Sequence, residues 1–148
     1  MKQFRSFPEL RREIEETLAG SKPAFHHSPL EDVAQLLCAG RRYAWVGIYL
    51  TVTASGPQPL LEAGADLLSR GSSGARSRIL LSMKRGIRET GLLDVETDRP
   101  NGFTAAEVAF LGEVADMLAN YLSGRGKYLV RRTRRANQEL RASSPVQP

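Results

Sequence analysis

Hydrophobic positions recur with helical period near both ends of the chain and with strand-like runs in the middle. Leu10, Ile14 and Leu18 fall every fourth residue behind Ser6-Phe7-Pro8-Glu9, which has the Ser-x-x-Glu spacing of a capping box, and Gly20 follows. The spacing predicts a first helix from Pro8 to Ala19. Its other face carries Arg11, Arg12, Glu13, Glu15 and Glu16, so one narrow apolar stripe must lie on the chain's own core or on a second copy. Ser28-Pro29-Leu30-Glu31 repeats the start signal, Leu30, Val33, Leu36 and Leu37 form a core-facing stripe, and Gly40 is the expected left-handed residue closing a second helix.

From Tyr43 to Thr53 the chain is nearly continuous apolar and β-branched sequence, the pattern of a strand covered on both faces. Alternation puts Trp45, Gly47 and Tyr49 on one face, with the glycine leaving room between the rings, and Val46, Ile48 and Leu50 on the other. Ser55-Gly56-Pro57 turns the chain into a second strand from Leu60 to Ala65, antiparallel to the first. The eleven residues between Asp66 and Arg78 are Gly- and Ser-rich and read as a loop. Ile79, Leu81 and Met83 then alternate with polar residues as a half-buried strand, and Lys84-Arg85-Gly86 turns into another strand from about Ile87 to Glu96.

Within that strand Leu93 and Val95 point one way and Leu92, Asp94 and Glu96 the other. Asp94 and Glu96 therefore lie ~7 Å apart. Two carboxylates at that distance repel by roughly 2 kcal/mol at an effective dielectric near 20, so they need water or a cation. Either they sit at a solvated strand end near Arg78 or Arg88, or they face the same space as Trp45 and Tyr49 and hold an amine. Pro100-Asn101-Gly102 makes the next turn, and Thr104 and Glu107 stand in capping-box register at the head of a closing helix. Val108, Leu111, Ala115, Leu118 and Leu122 form its stripe, widened by Phe110, Val114 and Tyr121. Ser123-Gly124-Arg125-Gly126 should break the helix, Tyr128-Leu129-Val130 can restart it, and the last residues from Ala142 are expected to be disordered.

Two of these stretches resemble one family. Arg88 to Leu111, a strand ending in Leu-Leu-Asp-Val-Glu followed by Pro-Asn-Gly-Phe and a helix, resembles the end of a GAF domain, a sensory fold. Trp45-Val46-Gly47-Ile48-Tyr49-Leu50 resembles the Trp-x-Gly-Phe-Tyr-Leu strand of the free methionine-R-sulfoxide reductases, a catalytic branch of that fold in which the matching Trp and Tyr help enclose the substrate. The resemblance covers Ser28 to Leu122, about two-thirds of the chain. It implies a ligand-binding face at Trp45, Tyr49, Asp94 and Glu96, although Asp-x-Glu matches the branch's Asp-x-Asp only loosely. The loop between Asp66 and Arg78 stands where a full GAF domain has further strand and helix elements, including the reductase cysteines.

Composition narrows the chemistry. The sequence has 148 residues and 41% hydrophobic content, enough for one core. Its single cysteine, Cys38, rules out an internal disulfide or a cysteine-rich metal site, and it reads as a buried small hydrophobe. Sulfoxide reduction by thiol chemistry needs an attacking thiolate and a second, resolving thiol, and Cys38 matches no catalytic cysteine of that branch. His26 and His27, side by side without other ligands, make a poor metal site. Gly71-Ser72-Ser73-Gly74 lacks the Lys-Ser/Thr of a phosphate loop, and neither a chromophore-attaching cysteine nor a cyclic-nucleotide signature is present.

The net charge of +5 comes from the end of the chain, where seven basic residues between Arg125 and Arg141 face only Glu139. With Tyr128 as the one aromatic, this reads as a solvated or partner-docking tail rather than a nucleic-acid site. No apolar run is long enough to span a membrane, and the expected compartment is the cytoplasm.

The expected fold is α+β, a GAF-like, mostly antiparallel sheet with the N-terminal and C-terminal helices on one face. An N-terminal helix and loop (residues 1–27), a GAF-like domain with a shortened middle (28–124) and a basic tail (125–148) divide the chain. The expected function is non-enzymatic and cofactor-free: a regulatory domain that binds a small ligand or a partner protein and signals through its terminal helices. The alternative is a pocketless dimerisation scaffold, with a reductase third. Leu10, Ile14, Leu18, Leu111, Leu118 and Leu122 are the expected core or homodimer positions.

Overall fold

The computed structural model describes residues 5–20, 28–52, 58–66 and 77–131. Three helices, α1 (Phe7–Gly20), α2 (Pro29–Arg41) and α3 (Ala105–Ser123), flank four strands, β1 (Trp45–Val52), β2 (Gln58–Asp66), β3 (Ser77–Arg85) and β4 (Arg88–Thr97). The strands form one antiparallel sheet in the order β2-β1-β4-β3. Two hairpins thus meet at the central β1–β4 pair. Of the expected loop between Asp66 and Arg78, residues 67–76 lie outside the described residues, as do His26, His27, the Ser55 turn and the chain end, whereas Ser77 opens β3.

The helices begin where their caps place them. Ser28 accepts a hydrogen bond from the Leu30 N–H at 3.2 Å, with Pro29 in the first turn. Thr104 and Glu107 form the complete reciprocal capping box of α3. The end of α2 differs from the sequence expectation. Gly40 stays within the helix, and Arg42 takes the left-handed conformation at φ 57°, its N–H bonded to the Cys38 carbonyl. Gly40 is instead a contact residue: a Cβ there would stand 2.9 Å from Leu10 Cδ2, so the missing side chain lets α1 lie close on α2.

α2 and α3 cover the sheet face that carries Val46, Ile48, Leu50, Leu93 and Val95, each fully buried, and α1 lies on that helical side. α2 packs on β1 and β2, α3 packs on β3 and β4, and α1 touches both of those helices. Leu10, Ile14, Leu18, Leu111, Leu118 and Leu122 are at most 7% exposed within one chain. They form its core and do not present themselves to a second copy. Each such aliphatic side chain contributes about 2 kcal/mol by leaving water.

Further contacts fasten the termini of this helical layer. The Arg5 N–H donates to the Gly40 carbonyl at 2.9 Å, and Arg41 Nη1 donates to the Arg5 carbonyl at 2.9 Å. Phe7 stacks on Phe110 at 4.8 Å, and the Arg41 guanidinium stands 4.3 Å from the centre of the Phe7 ring. After Ser123 the chain turns through Gly124 to Gly126 and resumes helical structure over 127–131, as the glycine pair and the Tyr-Leu-Val run predict.

Candidate functional site

The sheet face away from the helices carries the polar chemistry. Register fixes it: Trp45 lies opposite Glu96, Gly47 opposite Asp94, and Tyr49 opposite Leu92 across the β1–β4 pair. On the other side of β4, Arg78 lies opposite Glu96 and Leu80 opposite Asp94. Period-2 alternation in both strands therefore brings the four sequence-predicted residues, Trp45, Tyr49, Asp94 and Glu96, onto one face. Their centre is the cross-strand pair Gly47 and Asp94.

The two rings use the space the glycines leave. A Cβ on Gly47 would stand 2.8 Å from Trp45 Nε1 and 2.9 Å from Tyr49 Cε1. A Cβ on Gly64, which pairs with Gly47 on β2, would meet the far edge of the indole at 2.4 Å. Trp45 thus lies down across a pair of glycines on neighbouring strands. This corrects the expectation of open room above Gly47, because the strand's own aromatic side chains fill it.

Arg78 answers the charge problem that the two acids pose. Its Nε donates to Asp94 Oδ1 at 3.1 Å and its Nη2 reaches Asp94 Oδ2 at 3.5 Å, a two-pronged pairing, while Nε also stands 3.7 Å from Glu96 Oε2. The burial is lopsided. The Asp94 side chain is 1% exposed and that of Glu96 15%, but the Arg78 side chain that covers them is 58% exposed. The hydrogen bond and charge of Asp94, with Glu96 adding to them, hold Arg78 still more firmly in its protonated form. Of the two cations proposed from sequence, Arg78 is the partner; the backbone of Arg88 lies opposite Arg85 at the far end of the hairpin.

A second arginine–carboxylate cluster, invisible to spacing rules, sits where β4 hands over to α3. Glu107 is fully buried. Its Oε2 accepts from Tyr43 Oη at 3.0 Å and from Arg99 Nη2 at 2.6 Å, and its Oε1 accepts from the Thr104 N–H at 3.0 Å. Thr97 Oγ1 in turn accepts from Arg99 Nε at 3.0 Å. Burial alone would push the Glu107 carboxyl up, but the hydrogen bonds from Arg99, Thr104 and Tyr43 outweigh it and hold the group below the ordinary carboxylate range. The Tyr43 hydroxyl is pushed well above its ordinary value, first by burial and then by the adjacent Glu107 charge. The capping box signals Glu107 in the sequence; its partners, 64 residues away at Tyr43 and 8 away at Arg99, carry no such signal.

Cys38 lies on the other side of the sheet from Asp94. It is 3% exposed in the helical core, and its thiol donates to the Tyr43 carbonyl at 3.2 Å. Among the described residues no group of three or more metal-ligating side chains exists, and no helix is long and apolar enough to cross a membrane.

No family model and no curated protein matches the sequence. Solved structures do match the fold. The free methionine-R-sulfoxide reductase from Neisseria meningitidis, in complex with its substrate, superposes with a TM-score of 0.68 at 21% identity over 83% of this chain and 95% of that one. The GAF domain of an Acinetobacter phosphoenolpyruvate-protein phosphotransferase gives 0.67 at 14% identity over 85% and 98%. The corresponding domain from Coxiella burnetii gives 0.61 at 15% identity over 83% and 96%. The chain has a GAF-like fold, with its helices and its polar face disposed as described.

Proposed function

We propose that this GAF-like chain is a non-catalytic regulatory domain that binds a small molecule bearing an ammonium or guanidinium group on the Trp45, Tyr49, Asp94 and Glu96 face. The observation that carries the reading is the seat itself: two carboxylates, one of them 1% exposed, are held together beside two aromatic rings and covered by a mostly exposed arginine. A buried carboxylate aimed at a surface cation is costly to build without use. Arg78 fills the seat as an internal stand-in, and a ligand cation would take its place over the same two acids. One structural neighbour, a free methionine-R-sulfoxide reductase, holds its substrate, and a free amino-acid ligand of that kind carries an ammonium group. Binding is the favoured role over thiol catalysis because Cys38 lies in the core, across the sheet from the seat.

The pocketless scaffold is the second reading, and one observation favours it. The indole and phenol rings already occupy the space over Gly47 and Gly64. A thermal-shift screen of free amino acids, amines and guanidino compounds separates the two, since a ligand that binds only the folded state raises its stability. The expected result is stabilisation by cationic compounds that is lost in Glu96→Gln and in Trp45→Ala. Stabilisation by none of them, with wild type and both variants responding alike, would leave the scaffold reading in place.

A further inference from the structure

The hairpin joining β3 to β4 ends in an isoleucine with no cover: Ile87 is 101% exposed. Around it stand Lys84 and Arg85, both exposed, and Arg88 opens the next strand. An apolar side chain at a turn tip gains nothing from the fold, whereas flanking cations keep such a tip soluble.

This tip lies at the basic end of the molecule. Arg85 Nη1 donates to Asn120 Oδ1, which places the hairpin beside the last turn of α3. From there the chain passes Arg125, Lys127 and Arg131, all exposed, and Arg125 Nη1 caps the Ala19 carbonyl at the end of α1. The contacts of Arg85 and Arg125 are thus to a neutral amide and a neutral carbonyl, which leave their charges uncompensated. The acids of this end are Glu15 and Glu16 on α1, Asp116 on α3 and Glu89 on β4, the last bonded to Ser82. The exposed cations Lys84, Arg85, Arg125, Lys127 and Arg131 thus outnumber these four acids, and beyond Arg131 the sequence adds Arg132, Arg134, Arg135 and Arg141 against Glu139.

We infer that this end docks on a membrane surface rich in anionic lipid, with Ile87 entering the headgroup layer and the surrounding arginines and lysines paired with lipid phosphates and carboxylates. Clusters of four to eight Lys or Arg gain about 1 kcal/mol each near such a surface, and the attraction falls off within a Debye length. A nucleic acid would satisfy the charge equally, but it offers nothing to a lone aliphatic tip, and bases prefer aromatic stacking partners. The apolar tip decides for lipid.

Vesicle flotation of the full chain tests this, with vesicles of phosphatidylcholine alone and of phosphatidylcholine mixed equally with phosphatidylserine, at low and physiological salt. The chain should float with the anionic vesicles only, and less at higher salt. Ile87→Ser should weaken that binding roughly tenfold, since it removes one buried aliphatic side chain. Lys84→Gln should weaken it roughly fivefold, the loss of one surface charge, and Ile87→Trp should preserve or strengthen it because indole favours the interface. Absence of flotation with anionic vesicles overturns the inference. So does flotation that Ile87→Ser leaves unchanged, or displacement from vesicles by duplex RNA or DNA whose own binding ignores Ile87.

Discussion

Two arginine–carboxylate clusters of similar composition occupy this small fold, and their surroundings assign them different work. At the β4–α3 junction Arg99, Glu107, Tyr43 and Thr104 close on one another, with the carboxylate fully buried and accepting hydrogen bonds at both oxygens. On the open sheet face Arg78 covers Asp94 and Glu96 from the solvent side and remains 58% exposed. In the first cluster the acid and Tyr43 are fully buried and the Arg99 side chain is 28% exposed, about half the exposure of Arg78. In the second the acids are fixed and the cation is at the surface, where a pair contributes about 1 kcal/mol or less. A lock and a seat can thus be built from the same residue types, and burial of the cation tells them apart.

Removing the acid of each cluster should widen this contrast most. Glu107→Ala leaves Arg99 and Tyr43 facing a void and removes the reciprocal half of the α3 capping box, so it should cost about 3 kcal/mol in chemical denaturation. Glu96→Gln, on the open face, should stay within about 0.5 kcal/mol of wild type. Equal losses would erase the distinction. Tyr43→Phe deletes one buried hydrogen bond to a charged group and should cost about 2 kcal/mol.

Acid gives a subtler separation. Because the folded protein holds the Glu107 carboxyl below its ordinary value of about 4.3, its contribution is complete above that value and is lost as pH falls through the lower, folded one. The stability gap between wild type and Glu107→Gln should therefore be constant near neutrality and narrow only in acid. A gap that narrows on raising the pH would contradict the assignment.

The open face was readable from the sequence because strand alternation is local. Trp45 and Tyr49 must share a side of β1, as Asp94 and Glu96 must of β4, and an antiparallel neighbour then needs only its register. That register also settled Arg78 over Arg88. The filling of the space above Gly47 was not readable, because it depends on which rotamers Trp45 and Tyr49 take over their own strand and the neighbouring β2. Nor was the lock: Tyr43 and Glu107 meet only after the sheet and α3 are in place, and no spacing rule spans such a separation. The expectation of Gly40 as the end of α2 failed for a related reason, since its small size serves Leu10 of another helix and Arg42 makes the turn.

The measurement that bears most directly on the seat is chemical rescue. Melting temperatures of Arg78→Ala and Arg99→Ala would be recorded with and without millimolar methylguanidinium and with free arginine. The account predicts that Arg78→Ala, whose acids then face solvent without their cation, is stabilised in a saturable way by both compounds, and that the effect vanishes when Glu96→Gln and Asp94→Asn are added. Arg99→Ala should gain nothing, because its acid is sealed in the core. Equal responses of the two variants, or none from Arg78→Ala, would contradict the claim that the open-face acids form an exchangeable cation seat.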